Sequence, residues 1–346
     1  MAIKWGVIGA GGIADRRTIP EGIAKAPNAK LVAVMDIDAV KAKAVAEKYK
    51  VKYYTDEKDL LSDNEVEAVY IATPTYLHCS QASLAAEKGK HILCEKPMAI
   101  TLGEARQIID VCKKNKVNFS LGYMMRFHAH HQKIKELIKQ GLLGQLVMAR
   151  AQLSCWYPPI EGAWRQDPEL GGGGALIDMG SHCIDLLEMF IGRVKEVSCF
   201  VGNLTHKYPV EDTANVLLKF ENGAQGAVDN CFNIPDASAK NILEIYGTKG
   251  SILAKGTIGQ MPGGEAMVYL EGDGKKYNAQ QQRVIADGEK IEVEPVNMYK
   301  AEIEHFSDCI ENNKAPAITP EEWLHNLEIC LAAYESAKTG KAVKIK

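Results

Sequence analysis

Asp178 and His182 stand four residues apart in a stretch that opens with four glycines, Gly171 to Gly174, and runs on through Ala175, Leu176, Ile177 and Met179 to Asp185. Leu176, Ile177, Ile184, Leu187 and Met189 recur at helical spacing. The pattern predicts a flexible glycine loop feeding a helix, with Asp178 and His182 one above the other on a single face. A carboxylate beside an imidazole can raise its basicity and fix its orientation, so the pair is a candidate general acid/base. The competing reading is a helix start with an acidic first turn and a histidine that only hydrogen-bonds in place. Four glycines remove every Cβ from a length of backbone, which lets a bulky or planar group approach the main chain. A second candidate is Lys96, between Glu95 and Pro97. A residue before proline is pushed away from helical geometry, which gives the lysine a defined direction. From there it could give a proton or a hydrogen bond to a substrate oxygen; the alternative is an ordinary surface lysine.

The elements that would position these groups are legible in the first part of the chain. Ile3 to Ile8 is a short apolar run ending in Gly9, Ala10, Gly11, Gly12, Ile13 and Ala14. This is the G-x-G-x-x-A dinucleotide fingerprint, in which glycines make a tight turn and bring backbone close to a pyrophosphate at a helix N-terminus. A second apolar run, Leu31 to Met35, ends in Asp36. A carboxylate there accepts from both ribose hydroxyls of an adenosine and repels a 2'-phosphate, and Ile37 and Asp38 offer no compensating cation. NAD is therefore favoured over NADP, with a plain turn residue as the alternative for Asp36. Asp38 is expected to cap a helix reaching Tyr49, and Pro20 to break or kink the first helix.

Strands are then expected at Ala68 to Ala72, His91 to Cys94 and Val117 to Leu121. Helices lie between them, the last opened by a Thr101 and Glu104 capping box. Alternating strands and helices predict an α/β fold with a doubly wound parallel sheet. Ligands bind such sheets at the carboxyl ends of strands, where Thr73, Pro74, Glu95, Lys96 and Pro97 fall.

From Gln145 onward strands follow one another: Leu146 to Cys155, Val194 to Val201, Ala214 to Phe220, Ala224 to Phe232 and Ile242 to Tyr246. Asn222 and Gly223 signal a two-residue hairpin. These predict an α+β domain with a large, mainly antiparallel sheet over residues 123–346, after a Rossmann domain over 1–122. Gly256 to Lys290 is glycine-rich, polar and without a clear strand pattern. Tyr299, Ile303, Phe306 and Ile310 form one helical stripe, and Thr319, Pro320 and Glu322 open a last capped helix.

A chain of 346 residues with 46% hydrophobic and 25% charged residues has the composition of a globular protein with two cores. A net charge of -3 without a long basic run argues against nucleic acid or anionic membrane as partner. Met1 to Gly6 carry no charged leader, and no apolar run reaches membrane-spanning length, so a cytoplasmic protein is expected. Nine dispersed cysteines without a Cys-x-x-Cys pair read as reduced thiols. His128, His130 and His131 have no cysteine and only Glu136 nearby, which reads as a solvated helix start; no metal is expected.

Taken together, several motifs in register resemble the glucose-fructose oxidoreductase, inositol dehydrogenase and rhizopine-catabolism (Gfo/Idh/MocA) oxidoreductases. They are the fingerprint at Gly9 to Ala14, the Thr73 and Pro74 loop with His78, the Glu95, Lys96, Pro97 triplet, Arg126, the glycine run with Asp178 and His182, and Gly247 to Gly250. The segment from Tyr157 through Trp164 and Arg165 is similar to that of anhydrofructose-reductase-like members. The resemblance implies catalysis by Lys96 and His182, with Asp178 supporting them. It implies contacts to the dinucleotide from Gly9, Gly11, Gly12, Ile13, Asp36, Thr73, Pro74, His78, Glu95 and Lys96, and at the nicotinamide end from Trp164, Arg165 and Arg126. The expected reaction is reversible oxidation of a secondary alcohol on a sugar or cyclic polyol by a homodimer or homotetramer. Anhydrofructose reductases use NADP, so the carboxylate at Asp36 departs from that branch. Two other readings keep the fold: an NAD-dependent glycosidase or transfer enzyme that retains its cofactor, and a noncatalytic dinucleotide or sugar sensor.

Overall fold

Six short apolar runs, β1 (Ile3–Ile8), β2 (Ala29–Met35), β3 (Lys52–Tyr54), β4 (Ala68–Ile71), β5 (His91–Cys94) and β6 (Phe119–Leu121), form one sheet in the computed structural model. The structure describes residues 2–271 and 287–345. The strands are parallel in the order 3-2-1-4-5-6, the doubly wound arrangement the sequence predicts. β1 and β4 are buried almost throughout, as strands covered on both faces must be. The order of strands reverses between β1 and β4, and the loops after them open the crevice where such folds take ligands.

Residues Ala14–Ile23, after the glycine turn, form a wide π-type helix with Pro20 inside it. The expected break at Pro20 does not occur. Proline clashes with the carbonyl four residues back in an α-helix, and a wider turn moves that carbonyl aside. Ala24 N accordingly bonds Ile19 O, five residues back. Asp38 caps the helix Ala39–Tyr49 by accepting from the amides of Val40 and Lys41. Thr101 and Glu104 form the expected capping box.

Contacts divide the chain into two units that are not consecutive stretches. The first comprises Met1–Phe127, Ile160–Asp178 and Asn297–Glu328; the second comprises His128–Pro159, Met179–Val296 and Ile329–Lys346. Two segments beyond residue 122 thus belong with the first unit. One carries the helix Met298–Glu311, whose Ile303 and Phe306 join Trp5, Ile19 and Ile23 in the core. Trp5 Nε1 donates to Ser307 Oγ at 3.1 Å, so the buried indole keeps a partner.

The second unit is built on nine strands: β7 (Leu146–Ser154), β8 (Val194–Gly202), β9 (Thr213–Phe220), β10 (Gln225–Cys231), β11 (Ile242–Gly247), β12 (Gly250–Lys255), β13 (Glu265–Leu270), β14 (Glu289–Lys290) and β15 (Val343–Lys344). Their order is 14-13-12-11-7-10-9-8-15. The sheet is mainly antiparallel, as expected, with β7 and β10 paired in parallel. Parallel neighbours need a long crossover, and the chain between these two strands includes the helix Ser181–Ile191, which packs on both of them. The β9–β10 hairpin has a three-residue turn rather than two. Phe220 N bonds Ala224 O, and Gly223 at φ 91° donates to Phe220 O, the geometry of a turn followed by a left-handed glycine. At the β11–β12 turn a Cβ on Gly247 would lie 2.1 Å from Leu143 O, so glycine is there for packing. The Gly256 to Lys290 stretch contributes β13 and β14, and its residues 272–286 lie outside the described residues.

His128, His130 and His131 are not a solvated helix start; all three are buried. His128 Nδ1 accepts from His130 N and thereby caps the helix Ala129–Lys139, while its Nε2 lies 3.0 Å from Gly263 O. His131 Nε2 lies 3.2 Å from Thr257 Oγ1. Their cover comes from a segment more than a hundred residues away, which no local pattern announces. Burial lowers the pKa of His128 and of His130. Among the described residues no group of three or more His, Cys, Asp or Glu is arranged to hold a metal ion. All nine cysteines are free thiols. No described helix is long and apolar enough to cross a membrane.

Candidate functional site

The glycine turn is fastened to the end of β2. Gly9 N and Ala10 N both donate to Met35 O at 2.9 Å. Gly11 N donates to Asp36 Oδ2 at 3.2 Å, and Asp36 Oδ1 accepts from Asp38 N at 3.0 Å. A Cβ on Gly9, at φ 84°, would lie 3.0 Å from the Ala72 carbonyl, so only glycine fits between the ends of β1 and β4. At Gly12, φ 54°, the space a Cβ would enter is open. The turn therefore presents bare backbone at Gly11, Gly12 and Ile13 to a helix start whose first amides have no acceptor within the helix. A dinucleotide pyrophosphate fits there, with its adenosine ribose toward Asp36.

Across the crevice the loops after β4 and β5 are tied together by His78. Its Nδ1 lies 2.9 Å from Pro97 O and its Nε2 2.9 Å from Thr73 O, and the ring is fully buried. Burial lowers its pKa, and the Thr73 and Pro97 carbonyls oppose that shift. The polar atoms of His78 are committed to the main chain, so the residue shapes the edge that Thr73, Pro74 and Lys96 present. Thr73 Oγ1 itself donates to Gln81 Oε1 at 2.6 Å.

Lys96 Nζ donates to both the main-chain oxygen and Oδ1 of Asp178, each at 2.7 Å. Arg165 Nε donates to the same Oδ1 at 3.3 Å, and its guanidinium lies over the Trp164 ring at 4.1 Å. Asp178 is thus bracketed by two cations, partners that sequence spacing does not suggest. The side chain of Lys96 is 10% exposed and that of Asp178 24%, so the pair is shielded without being sealed. Such a pair keeps the lysine pointed in one direction when no substrate oxygen takes its hydrogen bond.

The glycine run is not an open loop. Pro168–Gly171 is a short helix stopped by Gly172 at φ 86°, and a Cβ on Gly171 would lie 3.1 Å from Trp164 O. The glycines let the chain fold tightly against the Trp164 and Arg165 turn. Leu176–Gly180 then makes one wide π turn that continues as the helix Ser181–Ile191. Wide turns of this kind are frequent at functional sites. His182, in the first turn of that helix, is buried at 6% exposure.

Arg126 donates from Nη1 to Glu322 Oε1 at 2.9 Å, at the start of the helix Pro320–Thr339. Glu322 was read in the sequence only as a cap, a role it also fills by accepting from Thr319 N at 2.8 Å. Sequence reasoning also passed over Tyr70, whose hydroxyl donates to Glu95 Oε1 and accepts from Thr18 Oγ1. The signal was a lone polar atom in an otherwise apolar, doubly covered strand.

Residues 3–123 match the model of an oxidoreductase family with an NAD-binding Rossmann fold, and residues 131–253 match the GFO/IDH/MocA C-terminal domain. The chain is 28% identical over 347 residues to the 1,5-anhydro-D-fructose reductase of Ensifer adhaerens, covering 99% of this chain and 98% of the relative. It is 28% identical over 344 residues to D-xylose 1-dehydrogenase (NADP(+)) 2 of Haloferax volcanii, covering 99% and 100%. Among solved structures it is similar to the aldose-aldose oxidoreductase from Caulobacter crescentus complexed with glycerol, at a TM-score of 0.89, 25% identity and full coverage of both chains.

Proposed function

Starting from the membership of this chain in the Gfo/Idh/MocA family of NAD(P)-dependent oxidoreductases, we propose that it interconverts a secondary alcohol and a ketone on a sugar, sugar derivative or inositol, with NAD as cofactor. The observation that carries the reading is the ion pair of Lys96 with Asp178 at the carboxyl edge of the parallel sheet. The relatives named above act on sugars, which supports the substrate class.

In the oxidative direction His182 takes the hydroxyl proton of the substrate. A nicotinamide bound at this edge would supply the acceptor for the hydride on the same carbon. Lys96 turns its ammonium from Asp178 to the substrate oxygen and stabilises it as it becomes a carbonyl. Asp178 and Arg165 return the lysine to one position between turnovers. Gly9, Gly11, Gly12, Ile13, Thr73 and Pro74 would hold the dinucleotide, and Glu95, Trp164 and Arg165 would line its nicotinamide end. The test is absorbance of reduced cofactor when wild-type protein meets NAD and a panel of sugars and inositols. Net NADH supports the dehydrogenase. Conversion of sugar without net NADH selects the enzyme that retains its cofactor, and tight NAD binding without conversion selects the sensor.

The choice of NAD rests on Asp36, whose two oxygens face Gly11 N and Asp38 N at the end of β2. Asp36→Ala is expected to raise the KM for NAD about tenfold, the loss of charged hydrogen bonds to a ribose, and to improve use of NADP. Steady-state kinetics with both cofactors checks it; wild-type protein that prefers NADP would contradict the assignment.

A homo-oligomer is the expected assembly. Along β7, β8 and β9 buried residues alternate with Met148, Phe200 and Leu217, which are 45%, 78% and 61% exposed. Strand register puts these three on the same face, beside the Arg150 and Asp229 pair at 3.1 Å. The same register places Asn215, Lys219, Gln225 and Glu244 on this face, and a sheet face with exposed apolar side chains among polar ones suits a second copy packed sheet to sheet. Light scattering should give a dimer or tetramer for wild type and a smaller species for Leu217→Glu; a monomeric wild type would refute it.

A further inference from the structure

The Rossmann unit holds a buried phenol and carboxyl pair that the mechanism above does not use. Tyr70, in β4, is fully buried, and its hydroxyl donates to Glu95 Oε1. The phenol oxygen accepts from Thr18 Oγ1 at 2.9 Å, and Thr18 is fully buried as well. Thr18 belongs to the helix that follows the glycine turn, Tyr70 to β4, and Glu95 to the residues directly after β5. One run of hydrogen bonds therefore joins three elements that meet at the ligand-binding edge.

Glu95 is the neighbour of Lys96, and both flanks of that lysine are held. On one side Glu95 N donates to Ile71 O at 2.9 Å while its carboxyl group is held by Tyr70. On the other, the Pro97 carbonyl lies against His78. A Cβ on Gly122 would lie 3.3 Å from Glu95 Oε1, so glycine at this position leaves space beside the carboxyl group. The groups acting on Glu95 are Lys96 on its own loop, Arg165 in the 164–166 turn, Tyr299 on the helix Met298–Glu311 and Cys94 behind it, and Glu302 acts on Tyr70. Burial raises the pKa of Glu95, and Lys96, the Tyr70 hydroxyl and Arg165 oppose that rise. Without the hydroxyl the carboxyl group loses a donor, and of the two cations that act on it Lys96 acts more strongly than Arg165. Turning toward Lys96 would draw the ammonium away from Asp178.

We propose that Tyr70 is a positioning residue for the active site: its hydroxyl, fixed by Thr18, holds the Glu95 carboxyl group away from Lys96 and so leaves Lys96 directed at Asp178. The proposal rests on the catalytic role given to Lys96 above. Phenylalanine would fill the same volume in β4, so Tyr70→Phe isolates the hydroxyl.

The experiment is competitive acetylation of the folded protein with acetic anhydride, read lysine by lysine by mass spectrometry. In Tyr70→Phe the reactivity of Lys96 should change about tenfold, the scale of one lost hydrogen bond to a charged group. Lys90, buried and donating to Asp63 O and Val66 O, should keep its wild-type reactivity. On a substrate that wild type oxidises, kcat should fall about tenfold with little change in KM, as for a displaced catalytic group. Thr18→Val should act in the same direction more weakly, and it carries the test if Tyr70→Phe does not fold. Unchanged Lys96 reactivity, or an equal rise at Lys90 and Lys96, would overturn the proposal. A wild type that oxidises no sugar would count against the functional reading alone, because the labelling needs no turnover.

Discussion

Lys96→Met should lower kcat by about 100- to 1,000-fold, the range seen when a donor to a developing or departing oxyanion is removed. The methionine keeps most of the volume beneath the crevice and deletes only the ammonium. Affinity for NADH, measured by fluorescence titration, should change little, because the pyrophosphate and adenosine contacts proposed above fall to Gly11, Gly12, Ile13 and Asp36. Asp178 keeps Arg165 as a counter-ion at 3.3 Å and is 24% exposed, so the variant should fold. Lys96→Arg should not restore the rate. Guanidinium is planar and forks onto carboxylates, whereas the observed contacts are two bonds of 2.7 Å from a single nitrogen. A Lys96→Met enzyme with near-normal turnover would remove the lysine from the mechanism.

His182→Ala should lower kcat by ~100-fold or more while NAD binding stays intact, the expectation for loss of a general base. The alanine leaves a cavity the size of an imidazole in the first turn of a buried helix. Added imidazole should therefore recover part of the rate, which a purely structural histidine would not allow. Glu95 and Tyr70 remain in place in this variant, so its loss should not depend on them. Turnover within a few fold of wild type would refute the assignment.

Much of this was legible from local pattern. The parallel sheet, the glycine turn, Asp36 and the capping boxes follow from residues a few positions apart, because the physics that fixes them acts over a few positions. What escaped the sequence depends on distant chain. The spacing of Asp178 shows nothing of its ion pairs with Lys96 and Arg165, which only the fold brings near. The ring of His78 lies between the Thr73 and Pro97 carbonyls, the second of them on a loop nineteen residues further on. The histidines at 128, 130 and 131 looked solvated because their cover, Thr257 and Gly263, belongs to a stretch without periodicity. Pro20 predicted a break because proline excludes the α-helix, while the chain had the wider turn as another solution. Tyr70 passed as one more apolar strand residue because periodicity weighs its ring and ignores its oxygen.

The central claim is transfer of hydride from a secondary carbinol carbon to nicotinamide on this protein. Its most direct measurement uses a sugar or inositol deuterated at the carbon undergoing oxidation, incubated with wild-type protein and NAD, with the recovered cofactor read by proton NMR. One deuterium should appear at C4 of the nicotinamide, on a single face, for each ketone formed. Deuterium appearing in solvent or retained at its original carbon while product accumulates would contradict it.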